Sequence, residues 1–257
     1  MSVRAFLRTF VAAALLAAAA ATLAHAEFIQ QGRLLVSFDA GVSPTKLPRR
    51  GTAPIKVGFR GTFENLDASD TPALRTMEVR LSRGGRIDAR RLARCPRARV
   101  GNLTGAGALR ACRAALVGRG HIDTAFRFPD GRRGRAKGSL YLFNAAGGIL
   151  MHVHTTQPLE GTFLIPMRVS RTGGAFATVL RARFPRLAAG YGYLTGFRMV
   201  IERRYTYKGK RLSYAVAGCP APAGFRKVAF ELARVTYRFE GGITVRNSAI
   251  RSCTAKG

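Results

Sequence analysis

Apolar and polar side chains alternate at a period of two through most of residues 55 to 245, and this pattern constrains the fold more than any other feature of the chain. Such alternation marks strands that bury one face and wet the other. Ile55, Val57 and Phe59 face one way while Lys56, Gly58 and Arg60 face the other. Met77, Val79 and Leu81 alternate with Glu78, Arg80 and Ser82 in the same manner. Ile122, Thr124, Phe126 and Phe128 lead into Pro129-Asp130-Gly131, a turn in which proline presets φ and glycine accepts a positive φ. An earlier strand is expected over Arg33–Phe38, followed by a loop from Gly41 to Pro54. Further strands are expected at Ser139–Asn144, Ile149–Thr156, Thr162–Arg171 and Ala177–Phe184. Near the C-terminus, Phe197 to Tyr207, Leu212 to Val216 and Val235 to Val245 continue the pattern, with turns at Lys208-Gly209 and Glu240-Gly241-Gly242.

About ten half-buried strands need a second layer to cover their apolar faces, so the expected fold is all-β. An antiparallel β-sandwich, jelly-roll-like, with one or two short helices near residues 87–117 fits the pattern. Alternating helices are missing, which disfavours a parallel α/β sheet. Leu109, Cys112 and Leu116 fall on one face of a helix that Gly118 would cap, and Ile87–Arg94 reads as another helical turn.

Residues 1–26 read as an export leader. Arg4 and Arg8 precede the largely apolar run Thr9–Ala21, and Ala24-His25-Ala26 offers the small residues of a cleavage site, so cleavage is expected after Ala26. That apolar run is shorter than the roughly 20 residues that span a bilayer, and no later segment is apolar enough to span one. The expected mature chain, 27–257, suits a single β-sandwich domain, with any subdivision falling near 118–120. Secretion or attachment to the cell envelope follows as the expected location.

Net charge is the second strong feature. Lysine and arginine number 43 against 13 acidic residues, a formal +30, which becomes +28 once Arg4 and Arg8 leave with the leader. A chain so basic attracts polyanions such as anionic envelope polymers, acidic polysaccharides, phospholipid headgroups or nucleic acid. Two clusters stand out. Arg132, Arg133, Arg135 and Lys137 crowd one loop, and Arg203, Arg204, Lys208, Lys210 and Arg211 crowd the end of one hairpin. Arginine forks suit phosphate or carboxylate groups. Richness in arginine, alanine and glycine is also what GC-rich codon usage produces.

Cys95, Cys112, Cys219 and Cys253 form an even set in a chain expected to be exported, so disulfides are the default. Sequential pairing, Cys95 with Cys112 and Cys219 with Cys253, closes the shortest loops. A C-x-x-C pair, expected of zinc or redox sites, is absent.

Catalytic signals are thin. His152 and His154 project from one face of a strand and are candidate metal ligands, with His121, Asp123 or Glu160 as a third group. There is no G-x-S-x-G elbow, no P-loop around Lys137-Gly138-Ser139, no cofactor motif and no motif for specific nucleic-acid recognition. Two of Asp39, Glu64, Asp67, Asp70, Glu78 and Glu202 would have to converge for glycoside hydrolysis. Tryptophan is absent, leaving Tyr191, Tyr193, Tyr205 and Tyr207 as platforms for a sugar.

The pattern Cys95…Ala108-Leu-Arg-Ala-Cys112-Arg-Ala-Ala-Leu-Val-Gly118, with Phe143-Asn144 and Ser213-Tyr214…Cys219-Pro-Ala-Pro222…Gly224-Phe225, resembles a group of exported β-rich proteins of high-GC actinobacteria with no assigned activity. The resemblance implies export and transfers no site. The expected function is non-catalytic binding of anionic polymer at the cell envelope through arginine-rich patches. An exported hydrolase or lyase acting on an acidic polysaccharide is the alternative.

Overall fold

Nearly every run that alternates at period two forms a strand in the structure, a computed structural model that describes residues 27–256 apart from 90 and 159. The expected leader, 1–26, lies outside the described residues. In chain order the first strands are β1 (Glu27–Gln31), β2 (Leu34–Ser43), β3 (Lys46–Pro48), β4 (Ala53–Pro54), β5 (Lys56–Asn65), β6 (Leu74–Ser82) and β7 (Gly85–Ile87). Two helices follow, α1 (Arg97–Val100) and α2 (Gly105–Ala111). Then come β8 (Leu116–Arg127), β9 (Arg133–Ala145), β10 (Gly148–Thr155), β11 (Gly161–Arg171), β12 (Phe176–Arg183) and β13 (Gly192–Ile201). The last strands are β14 (Arg204–Tyr207), β15 (Lys210–Ser213), β16 (Ala215–Ala217), β17 (Lys227–Phe239) and β18 (Thr244–Lys256).

The fold is all-β. One 13-stranded sheet runs β1-β2-β5-β13-β8-β9-β10-β11-β12-β6-β17-β18-β3 and curls over so that its two halves face each other. Strands β8 to β12 form an uninterrupted antiparallel meander within it. That meander belongs to one continuous sheet, whereas a jelly roll would divide its strands between two sheets. Aromatic rings join the halves across the interior. Phe63 of β5 meets Tyr237 and Phe239 of β17 at centroid distances of 5.1 and 5.5 Å, and Phe38 of β2 meets Tyr237 at 6.5 Å. Burying each such ring contributes about 1.5–3 kcal/mol. Side chains also close the seam where β1 and β2 approach β18. Asn247 donates to the carbonyl oxygen of Glu27 at 3.1 Å, the Glu27 carboxylate accepts from the Ser248 N–H, and Arg251 pairs with Asp39.

Both disulfides join the expected partners, Cys95 to Cys112 and Cys219 to Cys253. The first holds α1 and α2 as a small lobe on the outer face of β9 and β10. There Val100, Ala108, Cys95 and Cys112 pack on Phe143 and Leu150 as a second, separate core. The helix expected over Leu109–Gly118 is displaced toward the N-terminus. Thr104 caps α2 by accepting from the Gly107 N–H, and Gly105, Ala108 and Cys112 form the buried face. Chain beyond Ala115 is already strand. Gly118 and Gly120 therefore cap nothing. They sit inside β8, where a Cβ would lie 2.3 Å from the Val200 carbonyl oxygen or 2.0 Å from that of Arg198, closer than any side chain permits. The described residues of 87–94 are likewise not helical, because Gly85–Ile87 pairs with β16 and the first helix begins at Arg97. The loop expected over Gly41–Pro54 is shorter, since β2 runs on to Ser43 and β3 pairs in parallel with β18.

Candidate functional site

Alternation sends every second residue of the curled sheet outward, and on both halves that outward set is rich in arginine. On the first half, the register aligns Asp39, Arg60, Arg198, His121, Ser139, His154 and Thr162 in one row across β2, β5, β13, β8, β9, β10 and β11. Arg60 and Arg198 stand directly opposite each other and both are exposed. Arg133, Arg135 and Lys137 continue this face along β9, exposed, while Gly134, Ala136 and Gly138 turn inward. Three residues of the first cluster thus lie on a strand, where loop positions were expected. The small residues between them allow that strand to press close, since a Cβ on Gly134 would meet the Phe126 ring at 2.4 Å. Arg132 alone stays in the turn, bonded to Asp130 at 2.7 Å and stacked over Phe128.

The second half carries a denser array that sequence reasoning missed. Its middle row is Arg168, Arg181, Glu78, Thr236 and Arg246, across β11, β12, β6, β17 and β18. Arg80 and Arg234 stand opposite each other in the row to one side, and Arg183, Thr76 and Arg238 make the row to the other. All seven arginines are exposed. Rows of this kind repeat at about 4.8 Å across strands and about 6.7 Å along them. Two carboxylates temper the charge. Glu78 accepts from Arg80 at 2.6 Å and from Arg181 at 2.5 Å, and Glu231 holds Arg234 at 2.8 Å. Partial burial pushes the Glu78 carboxyl up, but the bonds from Arg181 and Arg80 outweigh it and hold the group below its usual range. Among the described residues, Arg168, Arg183, Arg238 and Arg246 form no ion pair with a carboxylate. These arginines are scattered from residue 80 to residue 246, so no local cluster announces them. Their one sequence signal is an arginine at alternate positions of strands whose intervening residues are apolar.

The remaining candidates fall elsewhere. Arg204, Lys208, Lys210 and Arg211 are exposed on the β14–β15 hairpin, with Arg203 half-buried at its base. This hairpin follows the end of β13 at Ile201, whereas Arg133 lies beside the other end of the β8–β13 pair. Nine residues of strand put the two clusters about 30 Å apart, so they do not form one patch. Tyr207 lies under Arg91, Tyr193 donates to Asp70 at 3.0 Å, Tyr191 packs against Phe128, and Tyr205 donates to the Asp88 carbonyl oxygen at 3.4 Å.

His152 is buried beneath the lobe, where its Nε2 donates to the Leu103 carbonyl oxygen at 3.0 Å. His154 bonds Thr162 through Nδ1, and Thr162 in turn donates to the same carbonyl. Loss of water around His152 lowers its pKa more than the Leu103 bond raises it. The pair therefore fastens the lobe, and among the described residues no group of three or more His, Cys, Asp or Glu side chains is placed to hold a metal. Of the carboxylates, Asp39, Asp67, Asp70, Glu78 and Glu202 are each occupied by a basic partner, respectively Arg251, Arg33, Arg127, Arg80 with Arg181, and Lys56. Two apolar voids in the interior measure about 40 and 30 Å³, far below the several hundred of a small-molecule site. Among the described residues no helix is long and apolar enough to cross a membrane. The two arginine faces are broad and cationic. Comparison of the chain with protein-family models, with curated proteins and with solved structures finds no match to any of them.

Proposed function

We propose that this protein is exported and acts without catalysis at the cell envelope, where its arginine faces hold linear anionic polymers such as acidic polysaccharides. The observation that carries this reading is the second face, with seven exposed arginines on five adjacent strands, paired among the described residues with Glu78 and Glu231. Like charges placed directly opposite on a sheet are destabilising. Arg80 with Arg234 and Arg168 with Arg181 are such pairs, and a bound polyanion relieves the repulsion that each face otherwise carries. Guanidinium forks match carboxylate and phosphate groups two bonds at a time. The leader sequence and the two disulfides support export.

The test uses the chain from Glu27 onward with polygalacturonate and with inorganic polyphosphate, between about 50 and about 500 mM salt, a range over which screening changes strongly. Binding should weaken steeply with salt and leave polymer length unchanged. Substituting Arg168, Arg183 and Arg238 by serine should weaken binding at least as much as the same change at Arg133, Arg135 and Lys137. Absence of salt-sensitive binding to either polymer would overturn the reading. Shortening of the polymer would replace it with the exported hydrolase or lyase.

A further inference from the structure

The curl of the sheet sets its two arginine faces on opposite sides of one core, and we propose that each face takes its own polymer chain, so that a single molecule cross-links two. This inference rests on the proposed polyanion binding and extends it from attachment to bridging. Strands β5, β13 and β8 back one face, and β12, β6 and β17 back the other. Phe63, Phe38 and Tyr237 meet between these halves. Facing sheets pack about 10 Å apart, and an extended arginine adds about 6 Å on each side, which separates the two layers of charge by about 20 Å. Screening at physiological salt acts over about 8 Å. Each face therefore presents its field to a different volume of solvent.

Neither face depends on the other for its composition. Arg60, Arg198, Arg133 and Arg135 stand exposed on the first, and Arg168, Arg183, Arg238 and Arg246 on the second. The lobe on β9 and β10 adds exposed Arg97, Arg99, Arg110 and Arg113. A flexible polymer can wrap around the curled sheet and occupy both faces of one molecule. A stiff chain cannot turn so tightly and must lie along one face, which leaves the other open to a second chain.

Polygalacturonate is the probe. With a short oligomer no longer than one face, calorimetry should count two per protein. With the long polymer, light scattering should rise to a peak at an intermediate ratio of protein to polymer and fall in excess protein, where each chain is saturated. Serine at Arg168, Arg183, Arg238 and Arg246, or at Arg60, Arg198, Arg133 and Arg135, should leave one oligomer bound and abolish the peak. A variant that loses four arginines, two from each face, should keep the peak, which separates bridging from simple charge neutralisation. One oligomer per wild-type molecule, or full scattering from either single-face variant, would overturn bridging while leaving polyanion binding intact. No binding of oligomer or polymer would instead overturn the proposed function itself.

Discussion

Glu78 is the anion that the second face can least spare for stability and most readily spare for binding, so Glu78→Gln should move the two in opposite directions. Its carboxylate accepts from the Nε of Arg80 at 2.6 Å and of Arg181 at 2.5 Å. The two arginine side chains are 45% and 55% exposed, so each pair belongs to the class worth about 0.2–1 kcal/mol. Glutamine also unmasks the opposed pairs Arg80–Arg234 and Arg168–Arg181, at a further few tenths of a kcal/mol each. The total is a loss of about 1–2 kcal/mol. For a chain of this size that corresponds to a fall in Tm of roughly 3–6 °C. Binding should strengthen meanwhile, because the face goes from seven arginines against two glutamates to seven against one. A plot of log affinity against log salt should steepen by about one added charge. Urea denaturation at low salt measures the first effect, and polygalacturonate titration at several salt concentrations the second. Added polymer should restore the lost stability. If Glu78→Gln leaves affinity and salt slope unchanged, the second face is not where polyanion binds, whatever happens to stability.

Two further substitutions probe the frame that holds the faces. The pKa of His152 is lowered in the folded state, so below the ordinary value near 6.5 the unfolded chain binds a proton that the folded one refuses. Stability should fall on acidification from pH 7 toward pH 5, by at most about 1.4 kcal/mol per pH unit from this group, and His152→Gln should flatten the slope; an unchanged pH profile would show that the ring is not held neutral beneath the lobe. Tyr237 lies fully buried among Phe38, Phe63 and Phe239, and its hydroxyl finds no hydrogen-bond partner among the described residues. Tyr237→Phe removes an unpaired polar group and should stabilise by about 1–3 kcal/mol in urea denaturation; a loss of more than 1 kcal/mol would mean that the hydroxyl is satisfied after all.

Period two alone determined much of this protein. Residues 55–60, 77–82 and 122–128 show by alternation which side chains go inward, and the structure buries Val57, Phe59, Met77, Val79, Leu81, Ile122 and Phe126 as that pattern requires. Pairing of Cys95 with Cys112 and of Cys219 with Cys253 was also legible, because short loops close most readily. Helix position was less so. Leu109 and Leu116 suggested an apolar helical stripe, but the lobe packs against a wide sheet through the small Gly105 and Ala108, which bring the backbone close. Arg133, Arg135 and Lys137 read as a loop because glycine and charge dominate that stretch, whereas in the sheet those glycines are the inward positions beneath Phe126 and Ile122.

Strand neighbours were beyond local pattern altogether. Arg80, Arg181 and Arg234 belong to three strands distant in the chain, β6, β12 and β17, and nothing near any of them in the chain specifies the other two. Alternation sets which way a side chain points, a property of its own strand. The order β11-β12-β6-β17-β18 sets what stands beside it, and that order arises only when apolar faces distant in the chain are buried against one another. The sequence by itself thus determined an all-β chain of extreme positive charge. Tertiary structure alone decided that the charge gathers into two faces on opposite sides of one core.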